Sequence, residues 1–306
     1  MTDDEVLHAF DGIRVWQQGG QRAVHKPLLV LLALGRLARG EPPMAEFSEI
    51  DGPLSNLLAE FGPASAARSR HYPFWHLRTD GLWQLSGPRG ILDRPPGATP
   101  TLTELRREHV AGGLTPELVT AFRRNPALIS AVARRIVEAH FPESLQRDVL
   151  DAVGLGASDS IFVARHVDAA ATVARRDPSF RERVLRAYEY RCCVCSYDLR
   201  LGGHVVGLEA AHIKWFQAGG PDVEPNGLAL CALHHKLFDL GGFMVLPDTY
   251  VMVVSQSLVG SAQAKDKMLS YHGAGIILPQ SKAYLPQMDF LHWHKKQVFK
   301  EPGREL

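Results

Sequence analysis

Apolar positions recur at helical spacing through most of the first half of the chain. Residues 4–18 read as a short helix ending at Gly19-Gly20. Val24 to Arg39 predicts a stronger one, with leucines at helical spacing, Pro27 suited to the first turn and Gly40 to the stop. Pro53 to Phe61 reads as a shorter helix closed by Gly62-Pro63. The period then changes. Phe74 to Leu77 and Leu82 to Leu85 look like two short strands, and Asp80-Gly81 between them is a hairpin signal. Beyond a Pro/Gly-rich connector at 91–100, Thr101 to Val153 returns to helices, broken near Gly112-Gly113, Asn125-Pro126 and Phe141-Pro142. Ala127 to His140 has an apolar face at Leu128, Val132, Ile136 and Ala139, which marks a packing helix.

The stretch 154–160 is small and polar and is the natural boundary, with a linking helix expected at 164–176. Phe180 to Tyr190 predicts another helix. Val205 to Glu209 and Ala211 to Trp215 look extended, 217–225 is a Gly/Pro loop, and Leu233 to Leu240 is helical. Phe243 to Leu246 and Val251 to Val254 form a possible closing hairpin. The expected fold class is α+β: a mostly helical N-terminal domain with a small hairpin at 1–155, a linker at 156–176, and a C-terminal domain at 177–306.

Length and composition agree with two globular domains, at 306 residues and 45% apolar. All four cysteines lie in one segment, which reads as metal ligation in a reducing cytoplasm rather than a disulfide framework. The acidic start MTDDEVLHAF is unlike a signal peptide, and the longest apolar run, Pro27 to Leu34, is too short to span a bilayer. A soluble cytoplasmic protein without membrane contact is expected.

A net charge of +1 points to no partner, but it hides a local asymmetry. The span 12–40 has no acid and carries Arg14, Arg22, Lys26, Arg36 and Arg39. The span 61–79 has none either, and holds Arg68, Arg70 and Arg78 with His71 and His76. Two such segments suit a phosphate-contacting face, and equally suit a solvated surface. Beside these cations, Tyr72 and Pro73 offer apolar surface, while Phe74 reads as core. The tail His292-Trp293-His294-Lys295-Lys296 fits either a DNA contact or a solvated helix.

The chemistry concentrates between Arg191 and Asp239. Cys192-x-x-Cys195 and Cys231-x-x-His234 are two knuckles that together supply the four ligands of tetrahedral zinc, leaving Cys193 spare. His212, Asn226, His235 and Asp239 remain. His235 and Asp239 are four apart, so on a helix they share a face and can grip one divalent ion.

This interleaving resembles the HNH nucleases, whose ββα-metal unit cuts nucleic-acid backbones, over roughly residues 180–256. The resemblance implies His212 as general base and His235 as ligand of a catalytic Mg²⁺ or Mn²⁺ with Asp239 as a second. It implies Asn226 as the residue that orients the loop bearing His212, and a structural zinc on the knuckles. Many members carry Asp or His just before the base; here that position is Ala211. Glu209 is a weak substitute, because residues i and i+3 of a strand point to opposite faces.

An HNH unit discriminates little by itself, so recognition is expected from residues 1–155. The whole is similar to type IV, modification-dependent restriction endonucleases that join a sulfur-binding domain to an HNH domain. The carrying residues are His25-Lys26-Pro27 and Arg70-His71-Tyr72-Pro73-x-x-His76, with Arg68 alongside. The resemblance implies recognition of phosphorothioated double-stranded DNA, with Tyr72 and Pro73 forming the sulfur's wall and Lys26 and Arg70 balancing charge. His76 stands where a small residue is expected. Two other readings stay open: an HNH enzyme reading methylated cytosine through a cage of Tyr72, Trp75 and Trp83, and a DNA-binding regulator with an inactive HNH unit. A double-strand cut takes two centres or sequential nicks, so a homodimer is expected.

Overall fold

The computed structural model describes residues 1–13, 24–63, 66–95, 97–156 and 177–306. These fall into two compact units, residues up to 156 and residues from 177. The fold class is α+β, with helices predominating over small sheets of two or three strands.

The first unit opens with α1 (Asp3–Asp11), started by a Thr2–Glu5 capping box. The helix stops at Gly12, short of the expected 4–18; residues 14–18 lie outside the described residues, as do Arg22 and the linking helix at 164–176. Helix α2 (His25–Ala38) buries Leu28, Leu29, Val30, Leu31 and Leu34, so it is the central rod of this unit. Helix α3 (Phe47–Phe61) begins earlier than its proline suggested. Pro53 lies inside it and is tolerated because Ile50, Leu54, Leu57, Leu58 and Phe61 are all buried on one face.

The expected hairpin at 74–85 is not formed. His71–His76 is helix α4 and Leu77–Asp80 is a 3-10 turn; Gly81, at φ 73°, reverses the chain. Phe74 and Trp75 are buried; Phe74 packs edge-on against Phe47 at 4.9 Å and against Trp83 at 5.9 Å. Only the downstream arm is a strand. With β1 (Met44–Glu46), β2 (Trp83–Ser86) and β3 (Ala111–Leu114), the sheet runs β1-β3-β2, all antiparallel. The central strand was hidden because Gly112-Gly113 reads as a helix break. Both glycines are there for close approach: a Cβ on Gly113 would lie 1.9 Å from the Pro43 carbonyl oxygen, and one on Gly112 would lie 2.7–2.8 Å from Trp83 and Phe74. Helices α5 (Arg89–Leu92), α6 (Leu102–Arg107), α7 (Pro116–Arg124), α8 (Ala127–His140) and α9 (Glu143–Ala152) complete the unit, with breaks at Asn125-Pro126 and Phe141-Pro142.

One buried charge organises this unit. Asp51 on α3 is 4% exposed and takes both the Arg70 and the Arg106 guanidinium. Burial alone would raise its pKa; hydrogen bonds from the two arginines reverse this and hold the carboxyl below its usual range. A depressed folded-state pKa stabilises fully above the unfolded value of about 3.9, and that contribution is lost as pH falls through the folded value. Asp51→Asn is therefore expected to cost about 2–3 kcal/mol at neutral pH, less than a fully buried pair because Arg106 is half exposed. Thermal melts of the two proteins should converge as pH falls through the depressed folded-state value of Asp51.

The second unit starts with α10 (Phe180–Ala187). A two-residue ladder of β4 (Arg200–Leu201) and β5 (His204–Val205) follows the first knuckle. Strands β6 (Leu208–His212) and β7 (Gly227–Cys231) pair antiparallel, His212 opposite Gly227 and Leu208 opposite Cys231. Helix α11 (Ala232–Asp239) follows at once, giving the ββα succession. Strands β8 (Phe243–Val245) and β9 (Met252–Val254) form the expected closing pair, followed by α12 (Ala262–Leu269) and α13 (Met288–Gln297). The core gathers Phe180, Val184, Leu208, Ala211, Leu228, Leu230, Phe238 and Phe243. In the tail Trp293 and His294 are buried, the His294 ring lying flat on Phe238 at 3.7 Å, while His292, Lys295 and Lys296 are exposed.

Candidate active site and DNA-reading face

The pleat of β6 decides which side chains meet. His212, at its end, faces α10 and stacks on Phe180 at 4.1 Å. Its Nε2 lies 2.7 Å from Asp222 Oδ1. An ionised carboxylate only accepts, so Nε2 carries the hydrogen and Nδ1 the lone pair. The other oxygen of Asp222 accepts from the Asp177 N–H at 2.6 Å, which fixes the carboxylate in turn. Asp222 lies in an irregular loop, where no periodic pattern marks it.

Asn226 is fully buried and closes that loop. Its Oδ1 accepts from the Lys214 N–H at 2.8 Å; its Nδ2 donates to the carbonyls of Lys214 at 3.0 Å and Pro221 at 2.9 Å. All three contacts are to backbone on the stretch between His212 and Asn226, so the amide braces that loop.

On the opposite face of β6, His235 projects from α11. Its Nε2 is 3.1 Å from Asp239 Oδ2, one helical turn on, and its Nδ1 is 2.6 Å from Glu209 Oε2. Glu209 and His212 do point to opposite faces, but α11 lies on Glu209's side, so the carboxylate reaches His235 after all. Burial opposes charge on His235, yet Asp239 and Glu209 outweigh it and push the ring up to about 10. The His212–Asp222 pair thus stands at the end of β6, and His235, paired with Asp239, meets Glu209 near that strand's start.

Cys192, Cys195, Cys231 and His234 bring their ligand atoms within 4.8 Å of one another, a cluster unique among the described residues. His234 Nδ1 is 3.1 Å from Cys231 Sγ and 3.6 Å from Cys192 Sγ; the sulfurs of Cys195 and Cys231 are 3.9 Å apart. Three sulfurs and one imidazole nitrogen converging in this way fit a tetrahedral zinc. Hydrogen bonds from Cys231 and His234 draw the Cys192 thiol down against burial, while Cys195, through burial, and Cys231, through its bond to Cys192, are pushed up. Cys193 is buried and outside the cluster.

The fit to a catalytic divalent cation is leaner. His235 and Asp239 offer two donors on one helix face, and Ala211 offers none, so most of the shell would be water or phosphate, as hard cations accept.

In the N-terminal unit, α2 and α4 pack together and bring the DNA-reading candidates into one region. Tyr72 is half exposed, with its ring parallel to His76 at 5.9 Å and against His71 at 4.4 Å. Pro73 is buried rather than a surface wall. Arg68 is exposed. The two cations expected to balance charge are already engaged: Lys26 Nζ is 2.6 Å from Asp80, and Arg70 is held by Asp51. His25 Nε2 lies 3.2 Å from the Ala66 carbonyl, and His76 Nε2 lies 2.7 Å from the Thr99 hydroxyl. Burial, with nearby cations, keeps His71 and His76 below the ordinary histidine range. Trp75 and Trp83 are buried, at 1% and 3% exposed, so the aromatic cage for a flipped methylcytosine is absent at these residues. Among the described residues no helix is long and apolar enough to cross a membrane.

Comparison with known proteins adds family membership. Residues 192–245 match the HNH endonuclease family. Among solved structures, the chain is similar to the sulfur binding domain of ScoMcrA complexed with phosphorothioated DNA, at 23% identity over 49% of this chain and 94% of that one, TM-score 0.43. It is similar to the equivalent SprMcrA complex at 22% identity, over 51% and 96%, TM-score 0.40. It is also similar to the modification dependent TagI restriction endonuclease at 23%, over 39% and 37%, TM-score 0.30. No curated protein matches. Residues 3–158, just over half of the sequence, match the family model of the DNA sulfur-binding domain, and the chain belongs to the ScoMcrA-like sulfur-binding family, with an HNH endonuclease domain at its C-terminal end.

Proposed function

We propose that this protein is a type IV restriction endonuclease that binds phosphorothioated duplex DNA through residues 1–155 and hydrolyses phosphodiester bonds through residues 177–306, with 156–176 joining the two. One observation carries the reading: a sulfur-binding family domain shares a chain with an HNH unit that holds a His212–Asp222 pair at the end of β6 and a His235–Asp239 pair on α11.

His212 is the general base. Asp222 holds its Nε2–H, so the Nδ1 lone pair takes the proton of the attacking water. Asn226 keeps the loop that carries this pair in register. His235 and Asp239 hold the divalent cation, and His235 gives up its proton to do so. Bound Mg²⁺ or Mn²⁺ supplies Lewis-acid neutralisation of the phosphate and of the leaving 3′ oxygen. Zinc on Cys192, Cys195, Cys231 and His234 is structural. A double-strand cut then requires a homodimer or two nicks.

At the reading face, sulfur is larger and less well hydrated than oxygen, so an exposed aromatic costs it less desolvation. Tyr72 supplies that surface, with His25, Lys26, Arg68, Arg70, His71, Pro73 and His76 around it. Salt-matched titrations of one duplex with and without phosphorothioate are the test. We expect at least about tenfold tighter binding of the modified duplex, a difference of about 1.4 kcal/mol, reduced in Tyr72→Ala. Equal affinity for the two duplexes removes the sulfur reading and leaves the nuclease standing.

A further inference from the structure

On the reading that His235 and Asp239 hold the catalytic cation, we infer that Glu209 is the positioning carboxylate of this site, orienting His235 from behind rather than binding the ion itself. Each carboxylate takes a different nitrogen of the ring. Asp239 lies at Nε2, at 3.1 Å, and Glu209 at Nδ1, at 2.6 Å, so the two carboxylates approach the ring from different atoms. Glu209, His235 and Asp239 do not bring three ligand atoms within 4.8 Å of one another, whereas the zinc cluster does. An imidazole that ligates through one nitrogen commonly donates its other N–H to a carboxylate, which fixes tautomer and ring angle.

The chain's own departures explain why this carboxylate comes from position 209. Ala211 shares Glu209's face of β6 and has no polar atom to offer. From 209 the longer glutamate side chain spans to α11. Arg181 is near enough to favour its charge and donates to the Leu208 carbonyl at 2.9 Å, tying the backbone beside it to α10. Glu209 is about half exposed as a side chain, so its removal leaves no buried void.

The test is Mn²⁺ binding to the zinc-loaded full chain, followed by electron paramagnetic resonance of free Mn²⁺, with zinc content and circular dichroism measured on each sample. Glu209→Gln is expected to weaken Mn²⁺ binding by about 10–100-fold with zinc content unchanged, and excess Mn²⁺ should restore most of the cutting rate. Glu209→Asp, charged but too short to span, should fall between the two. Unchanged Mn²⁺ affinity in Glu209→Gln, with cutting intact, overturns the inference alone. Cutting that no Mn²⁺ concentration restores in a folded Glu209→Gln protein makes Glu209 a ligand, and overturns it too. A wild-type chain that binds no Mn²⁺ beyond its zinc and cuts nothing overturns the nuclease reading beneath it.

Discussion

His212→Ala is expected to lower cleavage of modified duplex by about 10²–10⁴-fold and to leave its binding unchanged. On the proposed mechanism the imidazole at the end of β6 accepts the water's proton, and the residues proposed to read DNA lie in the other compact unit. Asp222→Asn should lose less, about tenfold or more, because an amide can hold the ring but not favour the tautomer with Nδ1 free of hydrogen. Single-turnover cleavage with saturating enzyme measures both, and gel-shift titration on the same substrate measures binding. Cutting by His212→Ala at the wild-type rate would remove His212 as the base.

Loss of the zinc cluster should act on a larger body of structure. Cys231 ends β7, caps α11 and is paired across the ladder with Leu208, while His234 and His235 are neighbours on that helix. Cys231→Ser is therefore expected to empty the site, unfold the second unit and abolish cutting, because a small metal unit draws about 10 kcal/mol or more of its folding free energy from the ion. Limited proteolysis should show residues from 177 onward degraded and the N-terminal unit intact, still binding modified duplex. Retention of zinc at one per chain, or of a protected second unit without it, would refute a structural role.

The zinc set was legible because knuckle spacing is a local property: x-x separations bring two ligands together in any fold that closes the turn. His212, Asn226 and His235 stood out as residue types at family spacing: the structure puts His212 at the end of β6, Asn226 just before β7 and His235 in the first turn of α11. Asp222 and Glu209 were not, since the first depends on the path of an irregular loop and the second on which face of β6 receives α11. In the N-terminal unit the long helices showed in the leucine spacing. Phe74–Leu77 misled because four consecutive apolar or aromatic positions look alike in a buried helix and a strand. The β3 strand was masked by glycines selected for the close approach of Pro43 and Trp83. Lys26 and Arg70 looked like free cations in acid-free segments; their carboxylates, Asp80 and Asp51, come from outside those segments.

The fully enclosed amide of Asn226 has a consequence for turnover. Because three backbone groups of the connecting loop are already tied to it, the arrangement of His212 and Asp222 is established when the chain folds. Little conformational entropy then has to be surrendered each time a substrate arrives, and that saving appears directly in the activation barrier as preorganisation.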